Sequence, residues 1–236
     1  MCLSPLLIDA YDLRGTVVLV TDILRATSSI TTALAHGVKA IRPVETLAEC
    51  LNLVQQGYVG AAERGGQKVE GFDLGNSPID FMQDRLQDVH IAMTTTNGTM
   101  AIARCSHANQ VIAGSFLNIG PVINYLKKLP YDILILCAGW KGKVNMEDSL
   151  FAGAVLEGLE GAFDLDGDAA RTALFLYKKA KKDLFGFLQG SSHVERLMRL
   201  GLENDIRFCL EYDKYTIVPV LKQDHLVKLS VKDMLF

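Results

Sequence analysis

Thr16-Val17-Val18-Leu19-Val20-Thr21, running directly into Asp22-Ile23-Leu24-Arg25-Ala26-Thr27-Ser28, decides the fold class. Four aliphatic residues in a row, three of them β-branched, read as a strand buried on both faces. A polar turn follows, and then a helical pattern begins at Ala26. Comparable apolar runs recur at residues 89–93, 110–113 and 132–138, with weaker ones at 39–42 and 58–62. Helical patterns lie between them, at residues 26–36, 45–56, 79–86, 98–104 and 118–129. Strands alternating with helices of this length predict a layered α/β fold whose sheet is substantially parallel.

The last third reads differently. Residues 147–159, 169–182 and 194–210 have helical patterns, and one late strand is expected at 215–221. Pro219 lies inside that strand, so an edge position or a bulge is expected rather than the sheet centre. Asp164-Leu165-Asp166-Gly167-Asp168 has faint calcium-loop spacing without the remaining ligands of an EF-hand, and reads as a turn. No low-complexity linker divides the chain, so a single domain over residues 1–236 is expected.

Composition sets outer limits. A net charge of -3 over 236 residues provides no basic field for nucleic acid. The Lys178-Lys179 and Lys181-Lys182 run reads as a solvated helix end. No stretch reaches the ~20 apolar residues that a membrane span requires. The apolar start lacks a basic region before Pro5 and Asp9 interrupt it, so no signal peptide is expected. Five scattered cysteines without a C-x-x-C pair suit reduced thiols, and a cytoplasmic location is the expectation.

Ligands of α/β sheets gather beyond the carboxyl ends of the strands, and four segments fall there. In the first, Asp22 is placed to bind a metal, attack phosphorus or cap the next helix, and Arg25 to hold an anion with a bidentate fork. In the second, Thr94-Thr95-Thr96-Asn97-Gly98-Thr99 offers hydroxyl, amide and backbone donors without the spacing of a P-loop. The third, Ala138-Gly139-Trp140-Lys141-Gly142-Lys143, leads to Glu147 and Asp148 in the first turn of a helix. There the acids are metal ligands or only dipole partners. The fourth, Glu63-Arg64-Gly65-Gly66 followed by Gly71-Phe72-Asp73-Leu74-Gly75-Asn76-Ser77-Pro78, combines glycines with carboxylates suited to a hard cation such as Mg2+. Gly114 to Asn118 would add a less specific polar wall. His193, in a polar Gly-Ser-Ser-His turn, is the histidine best placed to swing toward such a site.

These segments resemble the 2-phosphosulfolactate phosphatase family, the ComB-like proteins. The signatures are T-D-I-L-R-A-T-S-S-I (21–30), E-R-G-G (63–66), G-F-D-L-G-N-S-P (71–78), T-T-N-G-T (95–99), and the C-A-G and E-D elements at 137–139 and 147–148. G-L-E-N-D-I-R-F-C (201–209) and Val218-Pro219 also fit. The resemblance implies a three-layer α/β/α fold with a mixed, largely parallel sheet, and Mg2+-dependent hydrolysis of a phosphate monoester. The family's substrate is 2-phosphosulfolactate and its products are 3-sulfolactate and phosphate, a step toward coenzyme M. A related 2-phospho-hydroxycarboxylate is the variant of that expectation.

The resulting assignment takes Asp22, Glu63, Asp73, Glu147 and Asp148 as metal ligands, with Asp22, Arg25 and Asp73 catalytic. Arg25, Arg64, Thr95, Thr96, Asn97 and Gly98 bind a small anionic substrate. Attack by water is preferred to an aspartyl-phosphate on Asp22, and both routes stay open. The alternative is a non-catalytic binding protein for phosphorylated or sulfonated acids; an isomerase or lyase on similar acids would release no phosphate. A homodimer is compatible with the sequence but not specified by it.

Overall fold

Strand β1 (Thr16–Thr21) divides its side chains between two cores, and so fixes the layering. Val17 and Leu19 enter one hydrophobic cluster, whereas Val18 and Val20 enter another. That alternation follows from the two-residue side-chain period of a strand and requires cover on both faces. The structure is a computed structural model that describes residues 1–229.

The remaining strands are β2 (Ala40–Pro43), β3 (Val59–Arg64), β4 (Gln67–Lys68), β5 (His90–Thr94), β6 (Gln110–Gly114), β7 (Asp132–Cys137), β8 (Pro219–Lys222) and β9 (His225–Lys228). They form one nine-stranded sheet in the order β4-β3-β5-β2-β9-β8-β6-β1-β7. Two parallel blocks result, β3-β5-β2 and β6-β1-β7. Between them the antiparallel β8–β9 hairpin is the seam. The helices are α1 (Ala26–Ala35), α2 (Leu47–Gln55), α3 (Gly98–Ala103), α4 (Ile119–Leu126), α5 (Met146–Gly158), α6 (Asp168–Ala180), α7 (Leu184–Leu188), α8 (Ser192–Arg199) and α9 (Glu203–Cys209). Residues of α4, α5, α6 and α8 share the core of Val17 and Leu19, and those of α1 and α3 share the opposite one. This is the three-layer α/β/α arrangement with a mixed sheet.

Three expectations are corrected. Pro219 does not mark an edge: β8 lies between β9 and β6. The proline is the first residue of the strand, and β8 meets β6 through a single register pair, Ile112 with Val220, so little of the ladder needs a donor there. Residues 79–86 do not form an α-helix. They make two 3-10 turns, Pro78–Phe81 and Asp84–Leu86, separated by Gln83 in an extended conformation. The helix expected over 194–210 breaks at Gly201, whose φ is 74°. There the Leu202 N–H reaches the Leu197 carbonyl at 3.0 Å and the Gly201 N–H reaches that of Met198 at 2.9 Å, a Schellman stop. The break separates α8 from α9.

All five cysteines are free and buried. Among the described residues no helix is long and apolar enough to cross a membrane.

Candidate active site

A cavity of about 220 Å³ opens beyond the carboxyl ends of β1, β3, β5 and β7. Asp22 follows β1, Glu63 and Arg64 end β3, Thr96 and Asn97 follow β5, and Trp140 and Lys141 follow β7; all of them line it. Helix α8 adds His193, Arg196 and Leu197. The site thus lies where an open α/β sheet places its ligands.

Asp22 and Glu63 are buried carboxylates in the same cavity. Burial pushes the Asp22 carboxyl up to about 6; His193 pulls it down, and Glu63 and Glu147 add to the rise. Glu63 is held from two directions. The Gly66 N–H donates to one of its oxygens, and the Thr96 N–H and hydroxyl donate at 3.2 Å and 3.1 Å to the other.

Glu147 and Asp148, at the start of α5, are completely buried and stand behind the cavity rather than on its lining. Asp148 accepts the Ile23 N–H at 2.8 Å and the Gly139 N–H at 3.1 Å, tying together the loops after β1 and β7. Burial, then the charges of Asp22 and Glu147, hold its carboxyl well above the usual range. Glu147 pairs with His193 Nδ1 at 2.5 Å and accepts from Asn145 Nδ2 at 3.0 Å. With Nδ1 so engaged, Nε2 is the ring nitrogen of His193 left for the cavity. Its imidazole lies flat on Trp140, with centroids 5.3 Å apart and planes 11° from parallel.

Asp73 does not join this group. It is exposed, and its contact is the Gly60 N–H at 3.4 Å, four residues before Arg64 ends β3. The reason is strand alternation: Leu74 forms a parallel bridge with Ala61 and is buried, so its neighbour turns outward. The same segment instead delivers Asn76, which lines the cavity and whose buried Oδ1 has no hydrogen-bond partner.

The two arginines expected to bind substrate reach the cavity with their donors largely committed. Arg25 is buried, forms an ion pair with Asp205, and donates to the Gly66 carbonyl at 2.7 Å. Arg64 donates to its neighbour Glu63's carbonyl at 2.7 Å, to that of Glu45 at 3.2 Å and to the Thr94 hydroxyl at 2.9 Å. Of the Thr/Asn segment, Thr96 and Asn97 face the cavity. Thr95 is turned inward, exchanging amide–hydroxyl bonds of 3.2 Å with Thr99. Gly98 is a close-approach glycine: a Cβ there would lie 2.7 Å from Asp22 Oδ2 and 2.5 Å from Ala26 Cβ. The Ser115 to Asn118 turn caps itself and does not line the cavity.

Among the described residues no three His, Cys, Asp or Glu groups are grouped as a ready-made metal cage. The donor chemistry nevertheless fits a hard cation. Asp22, Glu63 and Asn76, the last with an unpartnered buried Oδ1, line one cavity, and Mg2+ is typically bound by one or two carboxylates with water and substrate oxygens completing its shell.

Asn76, Trp140, Arg196 and Asp205 are the contributions missed in the sequence. Asn76 and Asp205 fall inside quoted motifs, so signals existed, although neither stands directly at the end of an expected strand. Trp140 and Arg196 carried no signal beyond a strand end and a helical face.

A family model described as 2-phosphosulpholactate phosphatase matches residues 2–224. A protein of Caldanaerobacter subterraneus subsp. tengcongensis named "Probable 2-phosphosulfolactate phosphatase" is 41% identical over 220 residues, covering 91% of both chains. Proteins of the same name from Thermotoga petrophila and Thermotoga maritima are 43% and 42% identical over 202 residues, covering 86% of this chain and 87% of theirs.

Proposed function

The chain belongs to the 2-phosphosulfolactate phosphatase family, and from that premise we propose that it hydrolyses 2-phosphosulfolactate, or a related 2-phospho-hydroxycarboxylate, to the hydroxy acid and phosphate. The observation that carries this reading is the meeting of Asp22 and Glu63 in one small cavity whose lining also includes Arg25, Arg64, Lys141 and Arg196. Its volume, about 220 Å³, lies below the range of drug-sized pockets and suits a small acid.

Asp22 and Glu63 are the acids proposed to hold Mg2+, with the Asn76 amide oxygen beside them. When bound, the ion would neutralise charge on the phosphoryl oxygens and bring the pKa of an attached water toward neutrality. The chain does the rest. Gly66 and Thr96 fix the orientation of the Glu63 carboxylate, so its position need not reorganise during reaction. Asn97 offers its amide to the phosphoryl group. His193, oriented by Glu147 and held flat by Trp140, presents Nε2 as a proton source for the departing alkoxide oxygen. Leu24 and Leu197 contribute apolar cavity surface that limits water access.

Phosphate release from a panel of 2-phospho acids, with and without Mg2+, tests the reading. Turnover that requires the ion is expected. Binding of these acids without phosphate release would establish the non-catalytic alternative instead. Rapid-quench trapping of phosphate on the protein would assign Asp22 as nucleophile, and its absence would leave water attack.

A further inference from the structure

Arg196 differs from the two arginines expected to bind substrate. It lines the cavity, is half-buried, and has no carboxylate partner among the described residues. Its guanidinium carbon lies 5.5 Å from the centre of the Trp140 ring, so an aromatic face supports it rather than a counter-ion. Its Nη atoms lie over the Gly65-Gly66 turn: a Cβ on either glycine would come within 3.5 Å of them. That turn is gripped from its other side by Arg25, which takes the Gly66 carbonyl. Lys141 sits at the same ring, its Nζ 5.0 Å from the centroid, and also lines the cavity.

From this arrangement we infer that Arg196, with Lys141 beside it, forms a subsite for a second, non-reacting anion of the substrate, a carboxylate or a sulfonate. The inference rests on the phosphatase reading for the location of the phosphoryl group and deepens it by assigning the substrate's other end. A guanidinium supported on an indole is weakly hydrated and presents a planar fork, the geometry that suits a two- or three-oxygen anion. The committed donors of Arg25 and Arg64 strengthen the assignment. An acid bearing several negative charges needs cations in the cavity with donors to spare; among the described residues Arg25 is paired with Asp205 and Arg64 has its donors on neutral oxygens, which leaves Arg196 and Lys141. Arg196 is therefore a specificity-determining residue: it selects phosphate esters that carry an acid group near the ester carbon over esters with neutral tails.

The test compares kcat/KM of the wild type and Arg196→Gln on four esters: 2-phosphosulfolactate, 2-phospholactate, 2-phosphooxypropane-1-sulfonate and isopropyl phosphate. The substitution should lower kcat/KM on the acid-bearing esters by about 10- to 100-fold, the value of a lost charge-assisted hydrogen bond. Isopropyl phosphate should change little, and Arg196→Lys should restore part of the loss. A fall confined to the carboxylate ester or to the sulfonate ester identifies which group occupies the subsite. An equal fall on all four esters, or none on any, overturns the subsite. If the wild type releases phosphate from none of them, the phosphatase reading fails instead. The subsite is then judged by calorimetric binding of 3-sulfolactate, which Arg196→Gln should weaken and which an unchanged affinity would refute.

Discussion

Two walls of the same cavity are built on opposite principles. In the inner wall, from the loops after β1, β3 and β5, the charges hold internal partners: Arg25 with Asp205 and the Gly66 carbonyl, Arg64 with three neutral oxygens, Glu63 with Gly66 and Thr96. Asp22, crowded by other acids, is the exception. The outer wall, from the β7 loop and α8, stacks His193, Arg196 and Lys141 around one indole and leaves the two cations without acid partners among the described residues. Arginines of the motif-rich segments are thus chiefly positioning devices, while the cations with donors to spare come from the β7 loop and α8. The difference lies in desolvation. A buried charge costs several kcal/mol unless paired, so buried Arg25 carries Asp205, whereas half-exposed Arg196 can stay in reserve.

That contrast can be broken by perturbing each wall in turn. The largest effect belongs to the inner wall. Asp205→Ala leaves Arg25 charged and buried without its partner, and should cost about 3–5 kcal/mol in a denaturant melt. A loss below about 1 kcal/mol would mean that the pair contributes as little as a surface bridge.

Next comes Asp22→Asn. It should cost at least about 2.7 kcal/mol of barrier, a hundredfold in turnover, in a phosphate-release assay. Its effect on folding has the opposite sign. Because burial raises the Asp22 carboxyl from 3.8 to about 6, the native state retains a proton over that interval that the unfolded chain has released. Stability of the metal-free protein therefore falls as pH rises from about 4 to about 6. A neutral amide at this position would remove that fall, so the variant should melt higher than the parent at pH 7 in the presence of chelator. A lower melting temperature there would refute the picture of crowded, uncompensated acids.

Gly98→Ala should follow. Its methyl would meet Ala26 Cβ and Asp22 Oδ2 within 2.7 Å, an overpacking of about 1–3 kcal/mol that also displaces the carboxylate. Turnover should fall with stability, and unchanged kinetics would show that Asp22 tolerates the shift. The smallest effect is expected in the outer wall, where Arg196→Ala should change stability by no more than about 0.5 kcal/mol. A larger loss would make Arg196 a structural member of the inner kind and remove the contrast.

Legibility in the sequence followed the range of the interactions. Strand β1 and the helix after it were readable because burial on both faces demands a continuous aliphatic run, and periodicity reports that locally. The convergence of Asp22 and Glu63 was readable because both end strands of one parallel system. Asp73 was misplaced because its orientation depends on Leu74 bridging Ala61, a pairing across twelve intervening residues. The one helix expected over 194–210 required knowing that Gly201 would adopt a positive φ, which a single glycine in an amphipathic stretch does not announce.

What the amino-acid order determined by itself was the layered α/β class, the end of the sheet at which chemistry gathers, and the delivery of Asp22 and Glu63 to it. Those properties arise from side-chain period and from residues adjacent in the chain. Tertiary structure alone decided that β8 and β9 stitch the two parallel blocks, that Asp205 neutralises Arg25, and that Trp140 gathers His193 and Arg196 at the outer wall. Each joins groups distant along the polypeptide, where geometry and the cost of burying charge, rather than local pattern, select the partner.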